Sequence, residues 1–202
     1  MPKPLKRQIA LAGTVPSRHT TGTVLVATDA AVDDARAGGG YLATSGHYGA
    51  RAHPYPRDIS GPSRSTVAEL RAILWALQAV TASVGSSRPV TVLTDSADAL
   101  GYLTAWQAGG TRMPDGYRVS WRSSDRQPTL VELQQMAEYT PGLTFTHVKG
   151  HVGHPLNEAA DSLAKLALRC SKGVVDRGRA AELAPEWAQQ NLKAWRAQAA
   201  DA

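Results

Sequence analysis

Apolar residues fall into short runs separated by polar, glycine-rich joints. Thr23-Val24-Leu25-Val26-Ala27-Thr28 is nearly continuous in its apolarity and stops at Asp29, the pattern of a strand covered on both faces. Gly38-Gly39-Gly40 leads into a second strand, Tyr41-Leu42-Ala43-Thr44. A third, over 48–55, pairs with it as a hairpin across Ser45-Gly46-His47. A Gly/Pro/Ser loop over 58–64 follows. Leu70, Ile73, Leu74, Leu77 and Val80 then recur at helical spacing, with Ser65 or Thr66 placed to cap the helix. Pro89-Val90-Thr91-Val92-Leu93-Thr94 is another strand, ending at Asp95, and a helix over 96–107 succeeds it. Thr129-Leu130-Val131-Glu132 resembles a capping box for a helix reaching 139. A last strand over 143–148 and a helix over 156–170 complete the pattern. An amphipathic segment near 185–199 carries Trp187, Leu192 and Trp195.

Three strands, a helix, a strand, two helices, a strand and a helix predict an α/β fold. Its sheet is mixed and five-stranded, flanked by helices, with an antiparallel meander first and later strands returned through helices. Residues 1–21 read as a loosely structured basic arm, 22–171 as the main domain, and 172–202 as an extension of linker plus helix. No internal repeat is present.

Composition narrows the class. With 43% hydrophobic and 19% charged residues, the 202-residue chain can bury a sizeable core. A single cysteine, Cys170, excludes a disulfide framework and a cysteine-rich zinc site, and suits a reducing cytoplasm. No run approaches the roughly 18 apolar residues of a membrane span. The run Ile9-Ala10-Leu11 falls short of a signal-peptide core. A cytoplasmic monomer without membrane contact is the expectation. The net charge of +5 points to a polyanionic partner. Its cations gather at the two ends: Lys3, Lys6, Arg7 and Arg18 with no acid in 1–21, and five more in 165–179 against Asp176 alone.

Four acids suggest chemistry. Asp29 and Asp95 stand at the C-terminal ends of predicted strands, the edge where open α/β sheets bind ligands. Glu69 lies in the expected first turn of the long helix, and Asp161 in a helix otherwise made of Leu and Ala. Carboxylates brought together repel unless protonated or neutralised by a cation. Oxygen ligands without cysteine select Mg²⁺ or Mn²⁺, and two such ions can drive phosphodiester hydrolysis. Each acid also has a plain structural use: Asp29 and Asp95 as turn residues, Glu69 as charge at a helix N-terminus, Asp161 as an i, i+4 partner of Lys165.

Val148-Lys149-Gly150-His151-Val152-Gly153-His154-Pro155-Leu156-Asn157-Glu158-Ala159-Ala160-Asp161 is more specific. Its two histidines lack the further ligands of a zinc finger. The run closely resembles the signature of the type 1 ribonuclease H family, in which a Lys-Gly-His-x-Gly-His loop leads to a helix carrying the last catalytic Asp. Asp29 matches the family's first-strand Asp, Glu69 the helix Glu and Asp95 the fourth-strand Asp. His151 matches the loop histidine and Asp161 the final Asp, across about three quarters of the chain. The resemblance implies a nuclease that cuts the RNA strand of RNA–DNA hybrids with two Mg²⁺ ions, leaving 5′-phosphate and 3′-hydroxyl ends. Asp29 would bridge both ions, Glu69 and Asp95 would hold one, and Asp161 would complete the other. His151 would assist proton transfer or product departure. Asn157 and Glu158 would shape the start of the last helix, with support of the metal site as the alternative for Glu158.

Departures from the family pattern concern substrate contacts. Ala30-Ala31 follow Asp29 where relatives usually have Gly-Ser, and Ser65-Thr66-Val67-Ala68 replaces the usual asparagines. Ala97 stands in for a common glutamine. These changes spare the acids and thin out the hydrogen bonds that read an RNA 2′-hydroxyl. Ser65, Thr66 and Ser96 are the candidate substitutes. The segment 106–127 occupies the place of a basic, Trp-bearing protrusion, so Trp106, Arg112, Arg118, Trp121 and Arg122 are candidate nucleic-acid contacts. Equally, the segment reads as a solvated loop and its tryptophans as packing residues. Two alternatives stay open: the same chemistry on double-stranded RNA or DNA junctions, and a non-catalytic nucleic-acid-binding module.

Overall fold

A computed structural model describes residues 9–18, 21–54, 63–85, 88–119, 127–150 and 152–200. In chain order the elements are β1 (Ile9–Thr14), β2 (Val24–Val32), β3 (Arg36–Ala43), β4 (His47–Pro54), α1 (Arg64–Val84), β5 (Val90–Thr94), α2 (Ala97–Gln107), α3 (Thr129–Tyr139), β6 (Leu143–His147), α4 (Pro155–Ser171) and α5 (Arg177–Ala200). The strands form one sheet in the order β1-β4-β3-β2-β5-β6. It is antiparallel from β1 to β2 and parallel from β2 to β6.

Strand alternation divides the core in two. Val24, Val26, Tyr41, Ala43, Val90 and Val92 pack on one face beneath α1, α2 and α3. Ala27, Leu42, Ala50, Ala52 and Leu93 pack on the other beneath α4 and α5. No helix among the described residues is long and apolar enough to cross a membrane.

The sheet has six strands, where five were expected. The extra strand is β1, in the segment read as a loose arm: Ile9 pairs with Ala52 and Thr14 with His47. Its short apolar run is a weak local signal, and the strand exists because β4 offers an open edge. Residues 1–8 of the expected arm lie outside the described residues, as does the expected loop at 58–64 up to residue 62.

The glycines expected to precede the second strand are inside β3. A Cβ on Gly40 would collide with the Ala160 carbonyl, and one on Gly38 with that of Ala164. Backbone-to-backbone contact with α4 therefore requires glycine at both positions.

Helix starts also shift. α1 begins at Arg64 behind Ser63, which makes no side-chain cap, so Ser65 and Thr66 lie inside the first turn. Glu69 accordingly falls in the second turn, where the helix dipole gives it little support. The expected capping box at Thr129 is not formed. Pro128 is the cap, and the Tyr117 hydroxyl accepts from Leu130 N–H at 3.0 Å.

α5 starts at Arg177 rather than near 185. Its buried stripe is Ala180, Ala184, Ala188 and Leu192, a pattern too weakly apolar to stand out. α5 packs back on α4, β4 and β1, with Trp187 and Trp195 against the same core.

Candidate active site

The parallel pairing of β2 with β5 reaches Ala27 opposite Leu93. Two residues further along the chain from each stand Asp29 and Asp95. β5 stops at Thr94, whereas β2 runs on to Val32 because β3 continues beside it, with Asp29 opposite Gly40. Asp29 therefore lies within its strand and not at its end, at the point where the sheet loses its parallel neighbour.

Glu69 comes over the edge from α1, and Asp161 from the second turn of α4. The carboxyl of Asp29 is in electrostatic contact with Asp95 and Asp161, and that of Glu69 with Asp29 and Asp95. Burial, reinforced by Asp95 and Asp161, raises Asp29 from 3.8 to about 7, although Ala30 N–H donates to its Oδ1 at 2.6 Å. Burial and then Asp29 and Asp95 push Glu69 well above the usual carboxylate range. Its Oε2 is buried without a hydrogen-bond partner. Asp161 also accepts from Lys165 Nζ at 2.7 Å, so the plain i, i+4 pairing coexists with its place beside Asp29.

An all-carboxylate donor set with an orphaned oxygen fits a hard divalent cation. Among the described residues, no three His, Cys, Asp or Glu side chains are drawn into a closed metal cage. The acids share one charged neighbourhood, with Asp29 in hydrogen-bond contact with both Glu69 and Asp161.

One polar residue near these acids has a role that sequence reasoning missed. Asn157 is buried at the start of α4, and its Nδ2 donates to Asp95 Oδ2 at 3.2 Å. It does more than shape the helix start: it ties α4 to the end of β5. Its spacing of four residues before Asp161, on one helix face, was the available signal. Gly150 passes over the same carboxylate, where a Cβ would lie 2.7 Å from Asp95 Oδ2. The ring nitrogen Nε2 of His147 lies 3.2 Å from the Asp95 carbonyl. Gly153, at φ +83°, turns the chain into α4, with His154 as its cap and Pro155 opening the helix.

A family model for RNase H matches residues 21–169. The chain belongs to the ribonuclease H family. Ribonuclease H of Paracoccus denitrificans (strain Pd 1222) is 34% identical over 121 residues, covering 55% of this chain and 70% of that one. Ribonuclease H of Ruegeria pomeroyi is 32% identical over 113 residues, covering 56% and 71%. Among solved structures, LC11-RNase H1 in complex with an RNA/DNA hybrid matches with a TM-score of 0.46 at 20% identity, covering 75% of this chain and 99% of that one. Strand β1 and helix α5 lie outside the span that matches the ribonuclease H model.

In this ribonuclease H the expected nucleic-acid contacts scatter. Trp106 is wholly buried, and its indole N–H donates to the Arg112 carbonyl at 2.8 Å. It is a core residue and has no face open to a base. Ser96 caps α2 by accepting from Ala99 N–H at 3.2 Å, and Thr66 is buried. Ser65, Arg112 and Arg118 stay exposed, with Arg112 3.5 Å from Asp115 in a surface pair of little energetic weight. His151, Trp121 and Arg122 lie outside the described residues.

Proposed function

We propose that this ribonuclease H hydrolyses the RNA strand of RNA–DNA hybrids. Asp29, Glu69, Asp95 and Asp161 would hold two divalent ions, Mg²⁺ or, as a substitute, Mn²⁺. The observation that carries this reading is the burial of these acids beside one another, which raises Asp29 to about 7, together with the buried, unpartnered Oε2 of Glu69. Such a cluster is costly until cations neutralise it. When bound, the ions supply Lewis acidity at the scissile phosphate and an activated water.

Asp29 is in electrostatic contact with both Asp95 and Asp161 and would serve both ions; Glu69 and Asp95 would hold one, and Asp161 would complete the other. Asn157 fixes the orientation of Asp95. His151 carries a proton or eases product departure, and cleavage leaves 5′-phosphate and 3′-hydroxyl ends. A binding module gains nothing from clustered acids facing phosphate, which disfavours a non-catalytic role.

One observation favours a looser substrate choice. With Trp106 and Thr66 buried and the Ser96 hydroxyl used as a cap, few of the expected groups remain to read a 2′-hydroxyl. The test is cleavage of hybrid, double-stranded RNA, double-stranded DNA and a DNA junction side by side, with Mg²⁺ and with Mn²⁺. Hybrid cutting that Asp95→Asn abolishes while hybrid binding survives is the expected result. Preferential cutting of another substrate would overturn the substrate assignment, and undiminished cutting by Asp95→Asn the site.

A further inference from the structure

The two segments outside the family-matched span meet each other. Residues 15–18 run from β1 along the flank of α5 and are anchored on their inner side. There Val15 N–H donates to the Gly46 carbonyl at 2.9 Å, and the Ser17 hydroxyl donates to the Thr44 carbonyl. Arg196 of α5 closes the contact by donating from Nη2 to the Pro16 carbonyl at 3.1 Å. Between them opens a cleft of about 270 Å³ lined by Pro16, Ser17, Arg18, Gln189, Lys193 and Arg196. Three of these six are cations and none is an acid. Among the described residues, none of the three cations forms an ion pair with a carboxylate.

The cleft flanks the turn between β3 and β4, level with the start of β2, and α5 links it to the loop before α4. α5 folds back along α4, so its final turns return to the loop from which α4 starts. The Gln198 amide stands 3.5 Å from the Gly153 carbonyl, in the loop that passes over Asp95. Lys193 and Gln198 are five residues apart, roughly 7.5 Å along the helix. Among the described residues these cations face no carboxylate, and such a wall suits a phosphate chain.

We propose that the cleft formed by Arg18, Lys193 and Arg196 binds the sugar–phosphate backbone of the nucleic-acid duplex outside the active site. The assignment deepens the reading given above and rests on it for the identity of the ligand. It makes the N-terminal strand segment and α5 one added binding surface, built by the parts of the chain that the family match does not include.

The test is fluorescence anisotropy of a labelled RNA–DNA hybrid with the full chain in EDTA, over a salt series. Three proteins are compared: the parent, Arg18→Gln/Lys193→Gln/Arg196→Gln, and Arg18→Lys/Arg196→Lys. Each phosphate contact contributes about 0.9 to the slope of log K against log salt, so the glutamine variant should lose about 2 to 3 in slope. The lysine variant keeps the charge, loses the fork geometry that reaches Pro16, and should hold the parental slope. A parental slope in the glutamine variant overturns the proposal. So does an equal loss in the lysine variant, which would reduce the cluster to a brace for Pro16. Binding is read without metal. A parent that grips hybrid but cuts nothing once Mn²⁺ is added therefore overturns the proposed activity and leaves the cleft assignment standing.

Discussion

Asn157 Nδ2 donates to Asp95 Oδ2 across 3.2 Å, joining the first turn of α4 to the end of β5. Two acids of the candidate site, Asp95 and Asp161, depend on these two elements for their separation. Removing such a support for a metal-binding carboxylate costs about 10- to 100-fold in metal affinity or activity. Asn157→Ala should therefore need more Mg²⁺ for half-maximal cutting, by at least about tenfold. A metal titration of kcat reads this directly, and a parental titration curve would dismiss the role.

The protonation of Asp29 has a stability consequence of definite sign. Its pKa is about 7 in the folded chain against 3.8 as the ordinary value. Between these limits the folded state binds more protons than the unfolded state, so this group's contribution weakens as pH rises from about 4 to 7. Asp29→Asn removes the penalty. In EDTA at pH 8 the variant should be more stable than the parent, by on the order of a few kcal/mol, and so melt higher, with the gap closing toward pH 4. Saturating Mn²⁺ should raise the parent's melting temperature more than the variant's. Thermal melts across pH with and without metal decide the matter.

Gly150 has little room for a side chain. Its backbone passes so close to Asp95 that a Cβ would stand 2.7 Å from Oδ2, and the short carboxylate must turn away from any such methyl group. The residue is a partly exposed loop position outside every helix and strand. Gly150→Ala should lower kcat by about tenfold or more, the scale of a misplaced catalytic group, with the melting temperature nearly unchanged. Equal losses in stability and activity would point instead to a structural role for the glycine.

Trp106 separates packing from binding. It is completely buried with its indole nitrogen satisfied by Arg112. Trp106→Ala should cost about 3–5 kcal/mol in denaturant unfolding, the range for truncating a buried large aromatic residue. Hybrid affinity at temperatures where the variant stays folded should match the parent. A stable variant with weakened binding would restore Trp106 as a nucleic-acid contact.

The amino-acid sequence by itself determined the order of most elements and the four acids that the fold gathers. Both signals are local. Strands β2 and β5 announce themselves as short apolar runs, α1 by its helical repeat, and the loop before α4 by a contiguous motif. Tertiary contact decided the rest, because the deciding partner lies far along the chain. β1 is a strand because β4 has a free edge. Gly38 and Gly40 belong inside β3 because the α4 backbone presses on them, 120 or more positions later. The alanine stripe of α5 becomes a core face only once α4 is beside it. Trp106 turned from a candidate stacking platform into core when the α1–α3 layer closed over it. Asn157 found its work only when folding carried Asp95, 62 residues earlier in the chain, to its amide. Residue type and spacing specify which groups are available. Which carbonyl, carboxylate or helix each one meets is set by the packing of distant segments, and local pattern carries no record of it.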